Sequence, residues 1–334
     1  MSRDLSDRIK IASFLCTIMV ILRHSLNHVA FWGEWRGDLL AGVVEGGFST
    51  TTEIAVPYFF LVSGFFFFKH SYYGEGKYWT MLKKKGYTLF IPYLIWNVIG
   101  LIEQIVAGQY HKTELHDILY DLILSEWNGP LWYVRTLMIF MLLVPFYGWI
   151  YNLKNKMVLV VTLLVAFYTW RTVDCSILST EGIIFFLFGG LFCYYEKYLE
   201  HKINIKLLAA LFALWIIISF VRPCWSIGLH KVNTLLGIFV FWQLLPLCSD
   251  RLKSIILPLS SLSFFVYVNH VYPLKAIKLT IASLYPKNEV AALAVYFIAP
   301  IIVLIIFLFI GNLMRRYIPN VLNIVTGEFK NCDI

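Results

Sequence analysis

Long apolar runs recur along almost the whole of this 334-residue sequence. They fall near residues 9–30, 52–68, 87–107, 131–151, 157–171, 182–195, 207–221, 232–248, 255–273 and 290–314. A helical run of about 20 apolar residues spans the hydrocarbon core of a bilayer. Charged residues make up 14% of the chain and hydrophobic ones 59%, whereas ordinary soluble domains carry about 25% charged residues. Such a chain cannot cover a soluble globule of its size with a solvated surface. The runs are continuous rather than alternating with period two, which argues against a β-barrel. The expectation is an all-α, polytopic integral membrane protein with about ten transmembrane helices. No linker, internal repeat or soluble segment interrupts it, so residues 1–334 read as a single membrane domain.

Orientation follows from the cationic side chains, because loops rich in Lys and Arg stay on the cytoplasmic side. With the N-terminus inside, 18 of the 28 Lys and Arg fall on inner segments and 8 on outer ones, while Arg23 and Arg135 lie within spans. Both termini are expected in the cytoplasm. This distribution accounts for the net charge of +8, and no nucleic-acid partner is needed to explain it. Arg3, Arg8 and Lys10 before an apolar run also fit a signal peptide, but no small-residue cleavage site follows, so the first helix is expected to be retained. The six cysteines have no spacing suited to zinc or redox chemistry. Cys175 and Cys224 both fall in outer segments, although nothing in the sequence brings them together.

Polar residues inside spans are costly unless a partner or a watery cavity receives them. At about 100° per residue, Lys10, Ser13, Thr17, His24 and His28 lie within about 40° of one direction on the first helix. Ser and Thr at such positions commonly serve helix packing, whereas His24 lies about 21 Å along the helix from Lys10. In the ninth run, Ser260, Ser263, Tyr267 and His270 follow at spacings of three and four. The second run contains Pro57 and the Ser63-Gly64 pair, where small residues permit close approach of a helix or a ligand. The fourth opens GPLWYVRTL and sets Arg135 about one turn inside, where snorkelling to the outer interface competes with a functional role. His24, His28, Glu53, Trp132, Arg135 and His270 are all expected in the outer half of the membrane.

His24 and His28 have metal-like spacing, but no third ligand is fixed and no zincin glutamate follows, so no metal site is expected. A histidine acting as general base on a hydroxyl needs only a suitable proton affinity, an orienting neighbour and exclusion of water. Acyl transfer additionally needs hydrogen-bond donors or positive charge at the oxyanion, for which Arg135 and Tyr267 are candidates.

Six stretches carry a family likeness: VILRHS (Val20 to Ser25), VPYFFLVSGFFFF (Val56 to Phe68), GPLWYVRTL (Gly129 to Leu137), EGIIFFLFGGLF (Glu181 to Phe192), SSLSFFVYVNH (Ser260 to His270) and RRYIPNVLNIVTG (Arg315 to Gly327). Together they make the chain resemble the membrane acyltransferase-3 family. The resemblance implies about ten helices and transfer of acetyl or other acyl groups from cytoplasmic acyl-CoA to extracytoplasmic glycans. It maps the family's first-helix histidine onto His24, its Ser-Gly pair onto Ser63 and Gly64, its Trp-aromatic pair onto Trp132 and Tyr133, and its late histidine onto His270. The family's arginine about eleven residues before the first histidine is Ser13 here, and Lys10 on the same face is the substitute expected.

The reaction this implies is O-acyl transfer in a bacterial inner membrane, with acyl-CoA as co-substrate and no permanently bound cofactor. The catalytic candidates are His24, Arg135, His270 and Tyr267. Lys10, Glu53, Ser63, Gly64, Trp132 and Tyr133 are the binding candidates, the acyl-pantetheine arm passing Ser63 and Gly64 toward His24. Lys83, Lys84 and Lys85 are plausible cationic partners for the phosphates of CoA, though positive-inside topology explains them completely and is the better reading. A polysaccharide exporter and a non-catalytic scaffold on the same architecture are the alternatives.

Overall fold

The computed structural model describes residues 1–70, 77–111, 114–143, 162–163, 179–221 and 227–328. All regular structure among them is helical. The chain divides into two compact units, Met1–Phe59 with Glu196–Gly311, and Phe60–Tyr195 with Asn312–Ile334.

The first unit opens with α1, Arg3–His24, whose N-cap Ser2 accepts the Leu5 N–H through its hydroxyl at 3.0 Å. Residues 25–27 break the helix before α2, His28–Trp32, which Gly33 ends in the left-handed region at φ 77°. α3, Leu40–Thr52, and α4, Ala55–Lys69, are separated at Glu53–Ile54. Pro57 explains this break: it has no N–H to give the carbonyl four residues back, that of Glu53. α3 carries Gly42, Gly46 and Gly47, and the Phe220 ring occupies the space that a Cβ on Gly47 would need.

The second unit takes up α4 at Phe60 and continues with α5, Lys77–Lys85, α6, Ile91–Val106, α7, Leu115–Leu124, α8, Trp132–Leu142, and α9, Thr180–Tyr194. A π-helical turn over Gly86–Phe90 joins α5 to α6, with the Ile91 N–H returning to Gly86 O. The turn lies where Pro92 withholds its own N–H, a common reason for such a register change.

The chain then returns to the first unit with α10, Ile205–Phe220, α11, Ile227–Leu244, α12, Asp250–Ser260, α13, Ser263–Asn269, α14, Val271–Leu284, and α15, Glu289–Tyr317. Ser260, Ser261 and Ser263 donate to the carbonyls of Leu257, Pro258 and Ser260. Such side-chain bonds compete with the helical ladder, and together with Pro258 they break the run between α12 and α13. Ile21, Val266, Leu274, Val295, Ala299 and Val303 belong to one buried apolar cluster of this unit. The last helix, α16, Pro319–Thr326, packs on α6 in the second unit, where Trp96 Nε1 donates to Val325 O at 2.7 Å.

Apolar side chains stand exposed along α6 and α15, among them Val98, Ile102, Ile301, Ile305 and Phe309, as lipid-facing surfaces require. This is a membrane protein. Among the described residues, Arg3–Trp32, Leu40–Lys69, Lys77–Val106 and Glu289–Tyr317 are long and apolar enough to cross a bilayer. The pair Leu229–Leu247 and Asp250–Ser260, bent by 117°, makes a fifth if taken as one span. Gly129–Leu142, Glu181–Tyr194 and Ile205–Phe220 are shorter apolar helices. Among the described residues, four or five helices thus meet this length and composition, whereas the sequence leads to an expectation of about ten spans over the whole chain. The run at 157–171 lies outside the described residues except for 162–163, as do Cys175 and Cys224. The second run is helical from Leu40 rather than residue 52, and the ninth is three helices.

Candidate functional site

The polar stripe of α1 resolves into two parts. Ser13 Oγ donates to Ile9 O at 2.8 Å and Thr17 Oγ1 to Ser13 O at 3.0 Å, so these hydroxyls are satisfied within the helix. Lys10 is exposed, 3.9 Å from Asp7. His24 is the last residue of α1, and the break after it removes His28 from the stripe. His28 is buried on α2, with Nε2 2.8 Å from Arg36 O and its ring stacked on Trp32 at 4.6 Å. The expected i, i+4 histidine pair is thus not a feature of one helix.

Several side chains tie the break down. Lys278 on α14 donates to His24 O at 2.7 Å and Leu26 O at 2.9 Å, placing a cation where the helix dipole is negative. Ser25 Oγ donates to Tyr296 O at 2.9 Å, and Asn27 Nδ2 to Ala292 O at 2.8 Å. The Asn27 N–H donates to the buried Glu45 at 3.0 Å.

His24 meets His270. Their ring centroids are 5.0 Å apart in an edge-to-face arrangement of 61°. His270 lies at the joint of α13 and α14, 0% exposed, with Nδ1 2.5 Å from Tyr267 O. A carbonyl only accepts, so Nδ1 carries the proton and Nε2 the lone pair. Tyr267 therefore acts on His270 through its carbonyl, whereas its hydroxyl was the group expected to work. His24, by contrast, is exposed.

A second cluster begins one residue earlier. Arg23 Nη1 donates to Glu53 Oε1 at 2.8 Å, Ser49 O at 3.0 Å and Ser49 Oγ at 3.1 Å. Glu53 Oε2 lies 3.2 Å from His230 Nδ1 on α11. Glu53 was expected at this level, but Arg23, His230 and Lys278 were not singled out. Arg23 had one visible signal, a charge inside an apolar run beside His24. Lys278 and His230 lie at run edges, where polar residues are ordinary.

The other expected residues belong to the second unit. Ser63 Oγ and Tyr133 OH are 2.8 Å apart, and the Tyr133 ring lies 4.7 Å from that of Phe60. Trp132 faces the same Phe60 ring at 6.0 Å. A Cβ on Gly64 would collide with the Phe186 carbonyl, and one on Gly189 with the backbone of Leu61 and Phe65. The two glycines let α4 and α9 touch backbone to backbone, which is the packing role. Arg135 is buried and donates to Leu124 O at the end of α7, so it does not snorkel. Lys83 and Lys84 are exposed on the last turn of α5.

Among known families, the acyltransferase-3 model, described as an acyltransferase domain, matches residues 8–311. Succinoglycan biosynthesis protein ExoH of Rhizobium meliloti (strain 1021) is 25% identical over 310 residues, covering 83% of this chain and 79% of ExoH. No solved structure matches.

Proposed function

Because the chain belongs to the acyltransferase-3 family, we propose that it is an integral-membrane O-acyltransferase acting on a hydroxyl of a cell-surface or extracytoplasmic polysaccharide. The similarity to a succinoglycan biosynthesis protein supports a polysaccharide acceptor. The donor is cytoplasmic acyl-CoA, with acetyl the first expectation and succinyl the second. The enzyme sits in the inner membrane of a bacterium, ten spans with both termini in the cytoplasm, as the cationic side chains indicate.

The observation that carries the reading is the contact of an exposed His24 with a buried His270 whose tautomer is fixed by Tyr267 O. One ring is exposed and the other is a buried neighbour packed edge-to-face against it, an arrangement that suits general base or nucleophilic catalysis by His24. His24 either deprotonates the acceptor hydroxyl or takes the acyl group and passes it on. The Lys278 clamp on the carbonyls of His24 and Leu26 holds the backbone from which His24 projects.

Purified protein incubated with radiolabelled acetyl-CoA or succinyl-CoA and an alkali-stripped bacterial polysaccharide tests this. Label enters the polysaccharide with the wild type and falls by about 100-fold or more with His24→Ala, the usual range for loss of a general base or nucleophile. Undiminished transfer by His24→Ala would remove His24 from the chemistry.

A further inference from the structure

We infer that His230 is a second catalytic histidine, the base that takes the proton of the acceptor hydroxyl, with Glu53 as its positioning carboxylate. This rests on the acyl-transfer reading and deepens it, because it leaves His24 to carry the acyl group.

The geometry sets a half-exposed imidazole beside a sheltered carboxylate. Glu53 Oε2 lies 3.2 Å from His230 Nδ1, an ion-pair contact without hydrogen-bond alignment, which favours a proton on Nδ1 and leaves Nε2 on the far side of the ring. A base whose far nitrogen is held by a third group is the general form of an activated catalytic histidine. Glu53 is itself fixed: its other oxygen accepts from Arg23 at 2.8 Å, and Arg23 is further anchored on Ser49. Exposure separates this pair from His28, His116 and His270. The His230 side chain is 39% exposed over a carboxylate that is 12% exposed. His270 and His28 are buried from reactants. His116 also contacts carboxylates, but Glu114 is 72% and Asp117 38% exposed, so water competes for that pairing. His230 alone among these four combines an accessible ring with a sheltered carboxylate. Arg23, which holds Glu53, directly precedes His24 in α1.

Two half-reactions follow. A nitrogen of His24 attacks the thioester carbonyl, the C–S bond breaks, and the thiolate of CoA leaves and takes the proton released by the acylated imidazole. The acceptor oxygen then bonds the acyl carbon while its proton passes to His230 Nε2. The C–N bond breaks with its electron pair on His24, and one proton returns from His230 to the released imidazole, so both rings end neutral.

The two histidines then fail differently. Wild-type protein given radiolabelled acetyl-CoA or succinyl-CoA without acceptor becomes labelled on His24, and His24→Ala does not. His230→Ala still takes up the label, which shows that it is folded, but discharges it to an alkali-stripped polysaccharide about 100-fold more slowly or worse. Free imidazole restores discharge by His230→Ala, which a merely structural role would not allow. Glu53→Gln keeps the label and also discharges slowly. Discharge by His230→Ala at the wild-type rate overturns the assignment and leaves acyl transfer standing. Wild-type transfer with no labelled protein overturns the carrier role of His24 and this division of labour with it. A wild-type protein that neither labels nor transfers overturns the acyl-transfer reading itself.

Discussion

Gly64 is defined by what stands opposite it. The Phe186 carbonyl fills the volume where a Cβ would lie, and it is backbone that cannot swing aside. Gly64→Ala therefore forces α4 and α9 apart and costs about 1–3 kcal/mol, the usual penalty of overpacking. Gly86 has nothing within 4 Å of its Cβ position and lies in helical backbone, so Gly86→Ala leaves stability unchanged or raises it by about 1 kcal/mol. Thermal melting of the detergent-solubilised protein followed by size-exclusion fluorescence compares them. Equal melting of Gly64→Ala and wild type would contradict the close approach. The same contrast governs the polar residues: Ser13, Thr17 and Arg135 sit in sequence contexts like that of His24, yet each gives its hydrogen bond to a carbonyl. Side-chain chemistry in the sequence marks which residues can react. It does not say which are already occupied.

The helix breaks place the site. Pro57 and the serines at 260, 261 and 263 announce two of them in the sequence, because a missing N–H and a competing hydroxyl are local properties. The break at 25–27 has no such marker and depends on Lys278, Ser25, Asn27 and Glu45, in contacts between residues up to 271 positions apart. Lys278→Met removes both bonds to the carbonyls of His24 and Leu26. Amide exchange over residues 24–28 should then rise, and acyl transfer should fall about tenfold, with Lys278→Arg recovering part of it. Unchanged exchange and turnover in Lys278→Met would mean that the clamp positions nothing. Helices α3, α5, α7 and α16 lie where the sequence read as loop, and α14 continues past a run end. α3 is rich in glycine and α7 carries Asp117 and Asp121, so neither looks like a membrane helix by composition. α3 is helical because neighbours such as Phe220 close on its bare backbone.

For the whole molecule, the cationic side chains make a direct test of topology. A fluorescent protein fused after Ile334 should fold in the cytoplasm and fluoresce, and alkaline phosphatase inserted at Gly108 should be active outside. A dark C-terminal fusion, or an inactive phosphatase, would invert the proposed orientation. The sequence by itself determined that this is an all-helical membrane protein and to which family it belongs, because hydrophobicity summed along a helix and short motifs in order survive without knowledge of partners. It also marked His24, Glu53 and His270 as residues too polar for their surroundings. Only the tertiary structure decided that His24 meets His270, that His28 does not share its helix face, and that Arg23 and His230 grip Glu53 from both sides. Those pairings depend on where helices stop and which distant segments close on them, and that is settled by packing between chain segments far apart in sequence.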